Sequence, residues 1–402
     1  MGMNPEGLES FLEMDFEKRA LYEVFDTICK ELRPLEEAAF KAKHFNTDLV
    51  PTLRKYSELG VFGFPISPAY GGAGLDLLTS MLLMQRIAEE GFALSTFFSG
   101  HISIGQKTLE KWGTEEQKQV YLPKTTSGEW IMAFALTEPD AGSDPMSLTT
   151  SYEKTETGYV LNGSKIWITN GTIADLLTVY ARNKKTGKIS SFLVEKTFPG
   201  FTAEKEKDKE FLITSDTAVL TFEGCEVPQA NLLGPEGKGP AVFLSTLDYG
   251  RLGKSACSVG VMLDCLKIAV DYTRERHQFG KAIAKHQLVQ EHLAEMQTAL
   301  DASKSLAYYA LLERMKHDAH PDDQTQRTRS SMVTSEAKKF CTEKANECAQ
   351  RTVQLLASSG ISGRAAMHYM DTKVPMIYEG TSEIQKLKIA ADILGPEFSA
   401  FR

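Results

Sequence analysis

The chain has 402 residues, of which 42% are hydrophobic and 24% charged, with a formal net charge of -8. At about 100 to 200 residues per domain that length holds two to four domains, and the ordinary composition describes a globular protein. The acidic balance excludes nucleic acid as the main partner, because phosphate binding needs a basic face. Six scattered cysteines (Cys29, Cys225, Cys257, Cys265, Cys341 and Cys348) have no CxxC or zinc spacing, so they read as reduced thiols and no metal site is expected. No apolar run reaches the roughly 18 residues of a membrane span, and residues 1–30 are acidic and amphipathic, unlike a signal or transit peptide. A soluble, cytoplasmic protein is the expectation.

From Leu8 to about Ser127 the apolar residues recur at helical spacing, as in Leu53–Leu59 and Leu77–Ile87, with turns at Pro65-Ile66-Ser67-Pro68 and Gly71-Gly72-Ala73-Gly74. Thr114 with Gln117 three residues on forms a capping box and marks a helix start. Near Trp130 the pattern changes to short β-branched and aromatic runs: 159–161, 176–180, 191–194 and 218–222. Their spacing is that of a small barrel or sandwich. After Gly234-Pro235-Glu236-Gly237-Lys238-Gly239 the helical period returns. Val259, Met262, Leu263, Leu266 and Val270 predict one apolar face, and Leu293, Met296 and Leu300 another, with long helices over 241–276, 286–317 and 328–357. His320-Pro321-Asp322-Asp323 reads as the loop between two of them. The fold class is therefore α+β multidomain: an N-terminal helical domain (1–129), a central β domain (130–238) and a C-terminal helical bundle (239–402).

Three stretches carry chemistry. Tyr378-Glu379-Gly380-Thr381 sets a carboxylate on a turn, with Gly380 permitting close approach, Thr381 placed to cap the next helix and Glu383 in its first turn. The segments Phe134–Asp144 and Gly163–Gly171 offer what a flavin ring needs, namely amides and hydroxyls for its polar edge and the flat face of Trp167. Arg276-His277-Gln278-Phe279-Gly280-Lys281, running to His286-Gln287, is the third.

Taken in this order, these motifs, together with Tyr70-Gly71-Gly72 and Gly113-Thr114 leading to Tyr121-Leu122-Pro123, resemble the acyl-CoA dehydrogenase family over nearly the whole chain. The resemblance implies FAD as cofactor, with Thr137 and Thr169 hydrogen-bonded to the flavin and Phe134, Leu136 and Trp167 packed about it. Ser143 would bond the CoA pantetheine, and Asp248 and Arg251 would grip its adenosine and pantetheine part. Arg276, Gln278, Phe279 and Gln287, with the turn from Gln354, would reach the FAD of a neighbouring subunit, which implies a homotetramer. Gly142, Ile168, His286, Leu355, Ser358, Thr381 and Glu383 complete the implied cofactor set, and Tyr378 and Gly380 join the substrate residues.

The implied reaction takes the α proton of an acyl thioester onto Glu379 while the β hydride leaves to flavin N5, giving the trans-2-enoyl thioester. The reduced flavin would pass electrons to an electron-transferring flavoprotein. Burial beside an apolar acyl chain is expected to raise the pKa of Glu379. Some relatives carry the base just before the arginine of the preceding motif, but here that position is Gly250. The chain departs from the family at Ser358-Ser359, where glycines are usual, and at Phe211 and Ile213, where relatives have Gly and Arg. Rival readings are dehydrogenation of an acyl group on a carrier protein and an inactive scaffold of the same fold.

Overall fold

The computed structural model describes residues 6, 7, 9 and 16–400. The start of the helical pattern predicted from Leu8 lies outside the described residues. In chain order the regular elements are helices α1 (Phe16–Ala42), α2 (Leu49–Arg54), α3 (Leu77–Glu90), α4 (Phe92–Phe98), α5 (Lys107–Trp112) and α6 (Glu115–Thr126). Strands β1 (Met132–Ala135), β2 (Ser151–Lys154), β3 (Gly158–Thr169), β4 (Leu176–Asn183), β5 (Ile189–Glu195), β6 (Phe201–Lys205), β7 (Thr217–Pro228) and β8 (Leu232–Leu233) follow. Next come α7 (Gly239–Glu275), the short strands β9 (His277–Gln278) and β10 (Lys281–Ala282), α8 (Gln287–Ala319), α9 (Gln324–Leu356), α10 (Gly363–Asp371) and α11 (Ser382–Leu394). The three long C-terminal helices thus agree with the apolar period to within about four residues. The helix expected over Leu53–Leu59 instead stops at Arg54 and gives way to a 3₁₀ turn at Ser57–Leu59, closed by Gly60 at φ 72°.

The chain divides into two compact units, one made of Met1–His44, Leu77–Ser95 and Arg251–Arg402, the other of Phe45–Asp76 and Thr96–Gly250. The second unit is built on one eight-stranded sheet in the order β6-β7-β3-β2-β4-β5-β8, with β1 pairing β4 in parallel. The sheet ends at β6 and β8 and does not close into a barrel. Strand β4 reads as a near-continuous apolar run because both of its faces are covered. Leu177, Val179 and Ala181 pack into one core with Tyr152, Phe192 and Phe222, and Leu176 and Tyr180 pack into another with Leu122, Leu193 and Phe243. The predicted capping box is present at the start of α6, Gln117 N donating to Thr114 Oγ1 at 3.2 Å and Thr114 N to Gln117 Oε1 at 3.0 Å.

In the first unit the C-terminal helices form a layered bundle in which α8 and α9 lie side by side, joined through the predicted 320–323 loop. Asp323 caps α9 by accepting from Thr325 N and Gln326 N. Helix α7 differs from the single apolar face predicted for it: residues 250–266 are buried on every side. The reason is the small residues Gly253, Ser255, Ala256, Cys257, Ser258 and Gly260, which let neighbours approach all round. A Cβ on Gly260 would stand 2.1 Å from the Gln85 carbonyl oxygen on α3. Gly260→Ala is therefore expected to destabilise the protein by about 1–3 kcal/mol, the usual cost of overpacking. Thermal melting checks this, and an unshifted midpoint would contradict the close approach.

Candidate active site

Two sets of predicted residues are assembled, one in each unit. In the sheet unit the loop after β1 is docked onto β3. Ile166 N donates to Thr137 O at 3.0 Å, and Lys165 Nζ to Leu136 O at 3.1 Å and Glu138 Oε1 at 2.7 Å. Glu138 also accepts from Thr149 N, Thr149 Oγ1 and Thr150 N at 2.6–2.9 Å. Burial raises the pKa of Glu138, but the Lys165 ammonium and these hydrogen bonds outweigh it and hold the carboxyl at about 2. Burial is also the larger influence on Lys165, which is pulled down to about 8 against the attraction of Glu138. The ion pair thus fixes the backbone on both sides of Thr137.

Trp167 sits where the register of β3 against β7 shifts between Lys165 and Ile168. The bulge holds it at φ 61° with the indole 52% exposed, which excludes a core role and presents a flat aromatic face. Ile168 beside it is buried, and Thr169 is half-buried. Asn170, also left-handed at φ 62°, ties this strand end to β1 by donating from Nδ2 to Met132 O at 3.3 Å. His101 Nδ1 accepts from Met132 N at 3.0 Å. Burial pushes the ring down to about 4, so it is a neutral spacer that seats β1. Phe134 is half-buried, 5.2 Å between ring centroids from Tyr180, and Leu136 is buried. Gly142 and Ser143 lie exposed on the loop, and a Cβ on Gly142 would meet nothing within 4 Å.

The Thr137 and Thr169 hydroxyls have no hydrogen-bond partner among the described residues. Two such hydroxyls beside an exposed indole and an open glycine loop fit the polar edge and flat face of a flavin. The loop around Ile213 holds a cation of its own: Lys209 Nζ donates to Leu212 O, Ser215 O and Thr217 Oγ1 at 2.5–2.8 Å.

In the bundle unit, Tyr378-Glu379-Gly380 forms a turn between a 3₁₀ segment at Val374–Met376 and α11. Thr381 caps α11 by accepting from Ile384 N at 3.2 Å, and Glu383, exposed in the first turn, is held below the usual carboxylate range by backbone and Thr381 hydrogen bonds. Glu379 adopts φ 55° and Gly380 φ 89°. A non-glycine residue in the left-handed region is costly and persists only where its surroundings fix it. Here Arg251 Nε donates to Glu379 O at 3.1 Å, Lys338 Nζ to Gly380 O at 2.6 Å, and Gln385 Nε2 to both carbonyls at 3.3 and 3.0 Å.

Two lysines that the sequence reading missed therefore belong to this site. Lys338 and Lys254 are both fully buried, and Lys254 Nζ lies 4.9 Å from the centre of the Tyr378 ring. Burial pulls Lys338 down to about 8, with Glu379 opposing and Arg251 and Lys254 reinforcing. For Lys254 burial acts downward too, yet Tyr378 and Glu379 more than offset it and the net direction is up. Cations therefore stand among the near neighbours of Glu379. Lys254 had a signal in the sequence, since it is the sole charge in the stretch 252–263. Lys338, one of a Lys-Lys pair in a charged helix, had none.

The remaining predicted residues lie elsewhere. Asp248 is on the first part of α7, within the sheet unit, and is half-buried. Arg276, Gln278, Phe279 and Gln287 are exposed around the β9–β10 hairpin, with His286 half-buried beneath, its ring 5.9 Å from that of Phe279. Gln354 and Ser358 are exposed and Leu355 is buried at the end of α9.

Three family models cover the chain: acyl-CoA dehydrogenase N-terminal domain over residues 16–129, middle domain over 133–225 and C-terminal domain over 237–394. An acyl-CoA dehydrogenase of Bacillus subtilis (strain 168) is 38% identical over 377 residues, covering 92% of this chain and 96% of the relative. A chain from a structure described as the electron transferring flavoprotein of Acidaminococcus fermentans superposes with a TM-score of 0.88 at 34% identity, over 95% of this chain and 99% of that one. An acyl-CoA dehydrogenase of Bacillus anthracis complexed with FAD gives a TM-score of 0.86 at 30% identity, over 95% of this chain and 67% of that one. The fold is that of a flavin-dependent oxidoreductase. The chain belongs to the acyl-CoA dehydrogenase family, and FAD is its cofactor.

The Glu138–Lys165 pair makes a prediction about stability. The folded pKa of Glu138 lies below its ordinary 4.5, so its contribution is present above pH 4.5 and is lost as the pH falls toward about 2. Glu138→Gln, which leaves Lys165 buried without its counter-charge, is expected to cost about 3–5 kcal/mol at pH 7. It should also flatten the acid limb of a urea-midpoint against pH curve. An unaltered acid limb would contradict the pairing.

Proposed function

We propose that the protein dehydrogenates an acyl-CoA thioester to the trans-2-enoyl-CoA, with Glu379 taking the α proton. The observation that carries this reading is the strained Tyr378–Gly380 turn, whose carbonyls are tied down by Arg251, Lys338 and Gln385. Such fixing suits a general base, which must stand within hydrogen-bond reach of the proton it removes. With the Glu379 and Gly380 carbonyls engaged by these donors, the backbone N–H of Glu379 is free of rotational slack and is proposed to donate to the thioester oxygen. Enolate character at Cα is then favoured. FAD, when bound, supplies the hydride acceptor.

Thr137 and Thr169 are proposed to hydrogen-bond the flavin edge, with Phe134, Leu136, Trp167 and Ile168 shaping its pocket. Ser143, Asp248 and Arg251 are proposed to hold CoA. Arg276, Gln278, Phe279, His286 and Gln287, with Gln354, Leu355 and Ser358, are proposed to reach the FAD of a neighbouring subunit in a homotetramer. Phe279, 90% exposed and held at φ 53°, supports that reading, since an apolar ring so presented suits a partner surface. Electron-transferring flavoprotein is proposed as the acceptor, in keeping with the relative so described.

Anaerobic bleaching of the flavin by an acyl-CoA tests the reading. Glu379→Gln should retain FAD and slow bleaching by about 10²–10⁴-fold, the range of a lost general base. Undiminished reduction would remove Glu379 from the chemistry.

A further inference from the structure

Lys254 holds neither carbonyl of the Glu379 turn. It lies on α7 one turn beyond Arg251, has a relative exposure of 0%, and its Nζ makes no hydrogen bond of normal geometry among the described residues, although the nearby Tyr378 hydroxyl and Glu379 hold its pKa up. Its close neighbours are π faces: the ring of Tyr378 at 4.9 Å and that of Phe92 at 5.6 Å from Nζ to the ring centres. The charged groups that act on it and on Lys338 are Glu379, Arg251 and Glu343, and Glu343 is already paired with Lys339 at 2.9 Å. Around the turn, three cations therefore face one carboxylate.

A buried ammonium without an acceptor is expensive, and aromatic faces supply only part of what water did. Arg251 and Lys338 use their donors on the carbonyls of Glu379 and Gly380, whereas Lys254 has at most the Tyr378 hydroxyl beside it and keeps donors to spare. An apolar acyl chain laid against Tyr378 would leave that ammonium stranded. An oxygen on the chain would satisfy it.

We propose that Lys254 is a specificity-determining residue, and that the thioester this protein favours carries an oxygen acceptor on its acyl chain. The inference rests on the reading of the Glu379 turn as the acyl site. A carboxylate and a hydroxyl are the two sources of such an acceptor. A carboxylate would also neutralise part of the excess positive charge, while a hydroxyl would satisfy the donors alone.

The test compares butyryl-CoA, 4-hydroxybutyryl-CoA and glutaryl-CoA with wild type, Lys254→Met and Lys254→Gln, all as FAD-loaded protein, reading kcat/KM for flavin reduction. Wild type should favour at least one oxygenated chain over butyryl by about ten- to a hundredfold, the worth of a charge-assisted hydrogen bond. Lys254→Met should reverse that order. Lys254→Gln should keep a preference for the hydroxyl and lose one for the carboxylate, which separates the two sources. Because replacing a buried cation by an isosteric apolar chain is commonly tolerated, Lys254→Met is expected to fold, and its bound flavin reports this. Calorimetric binding of the matching non-oxidisable CoA thioethers gives a readout independent of turnover. Lys254-dependent preference for the oxygenated thioether without flavin reduction would uphold this inference and defeat the dehydrogenase reading. Flavin reduction with butyryl equal to or better than the oxygenated chains, or a ratio unmoved by Lys254→Met, would overturn the inference and leave the dehydrogenase reading standing.

Discussion

The backbone of residues 378–380 is the constraint on which the rest of the bundle unit's chemistry depends. A left-handed glutamate is not stable on its own account, and a following glycine only loosens the chain further. Donors from three separate helices hold the carbonyls of this turn: Arg251 on α7, Lys338 on α9 and Gln385 on α11. Two of these donors are buried cations beside the half-buried glutamate that the turn presents, so the same groups that fix its position also set its electrostatic surroundings. Removing either would change both at once, which is why positioning and charge cannot be assigned to separate residues here.

The sheet unit solves a parallel problem with the opposite charge pattern. Its loop must present the Thr137 hydroxyl without a partner, and the neighbouring residues take up the backbone instead. Lys165 and Ile166 on β3 hold the carbonyls of Leu136 and Thr137, and Glu138 collects donors from Thr149 and Thr150. The bulge that turns Trp167 outward lies one residue beyond these anchors. A single strand therefore both pins the loop and displays the aromatic face, and the order of residues along β3 is what brings the two together.

Much of this was legible in the chain. The helix, strand, helix order, the capping box at Thr114 and the Thr381 cap follow from local patterns that act over three or four residues. The motif residues around Thr137, Trp167, Thr169 and Glu379 were legible because their spacing is that of a known family. What could not be read depends on residues far apart in sequence. Lys338 lies 42 positions from the carbonyl it holds, and no local pattern joins the two. The single predicted face of α7 failed because small residues allow burial on every side, which a period of apolar residues does not report. Lys209 was likewise invisible, because its three acceptors come from a loop whose shape it creates.

The central claim is that the anchored turn makes Glu379 a base, and the most direct measurement of it is exchange of the thioester α proton with D₂O. The exchange can be followed by NMR with a 3-thia-acyl-CoA, a thioester whose β position is sulfur and so has no hydride to lose. The account predicts exchange by the wild type and a marked loss in Lys338→Met at full FAD occupancy, because the Gly380 carbonyl then keeps only its Gln385 donor. Exchange in Lys338→Met at the wild-type rate would contradict it.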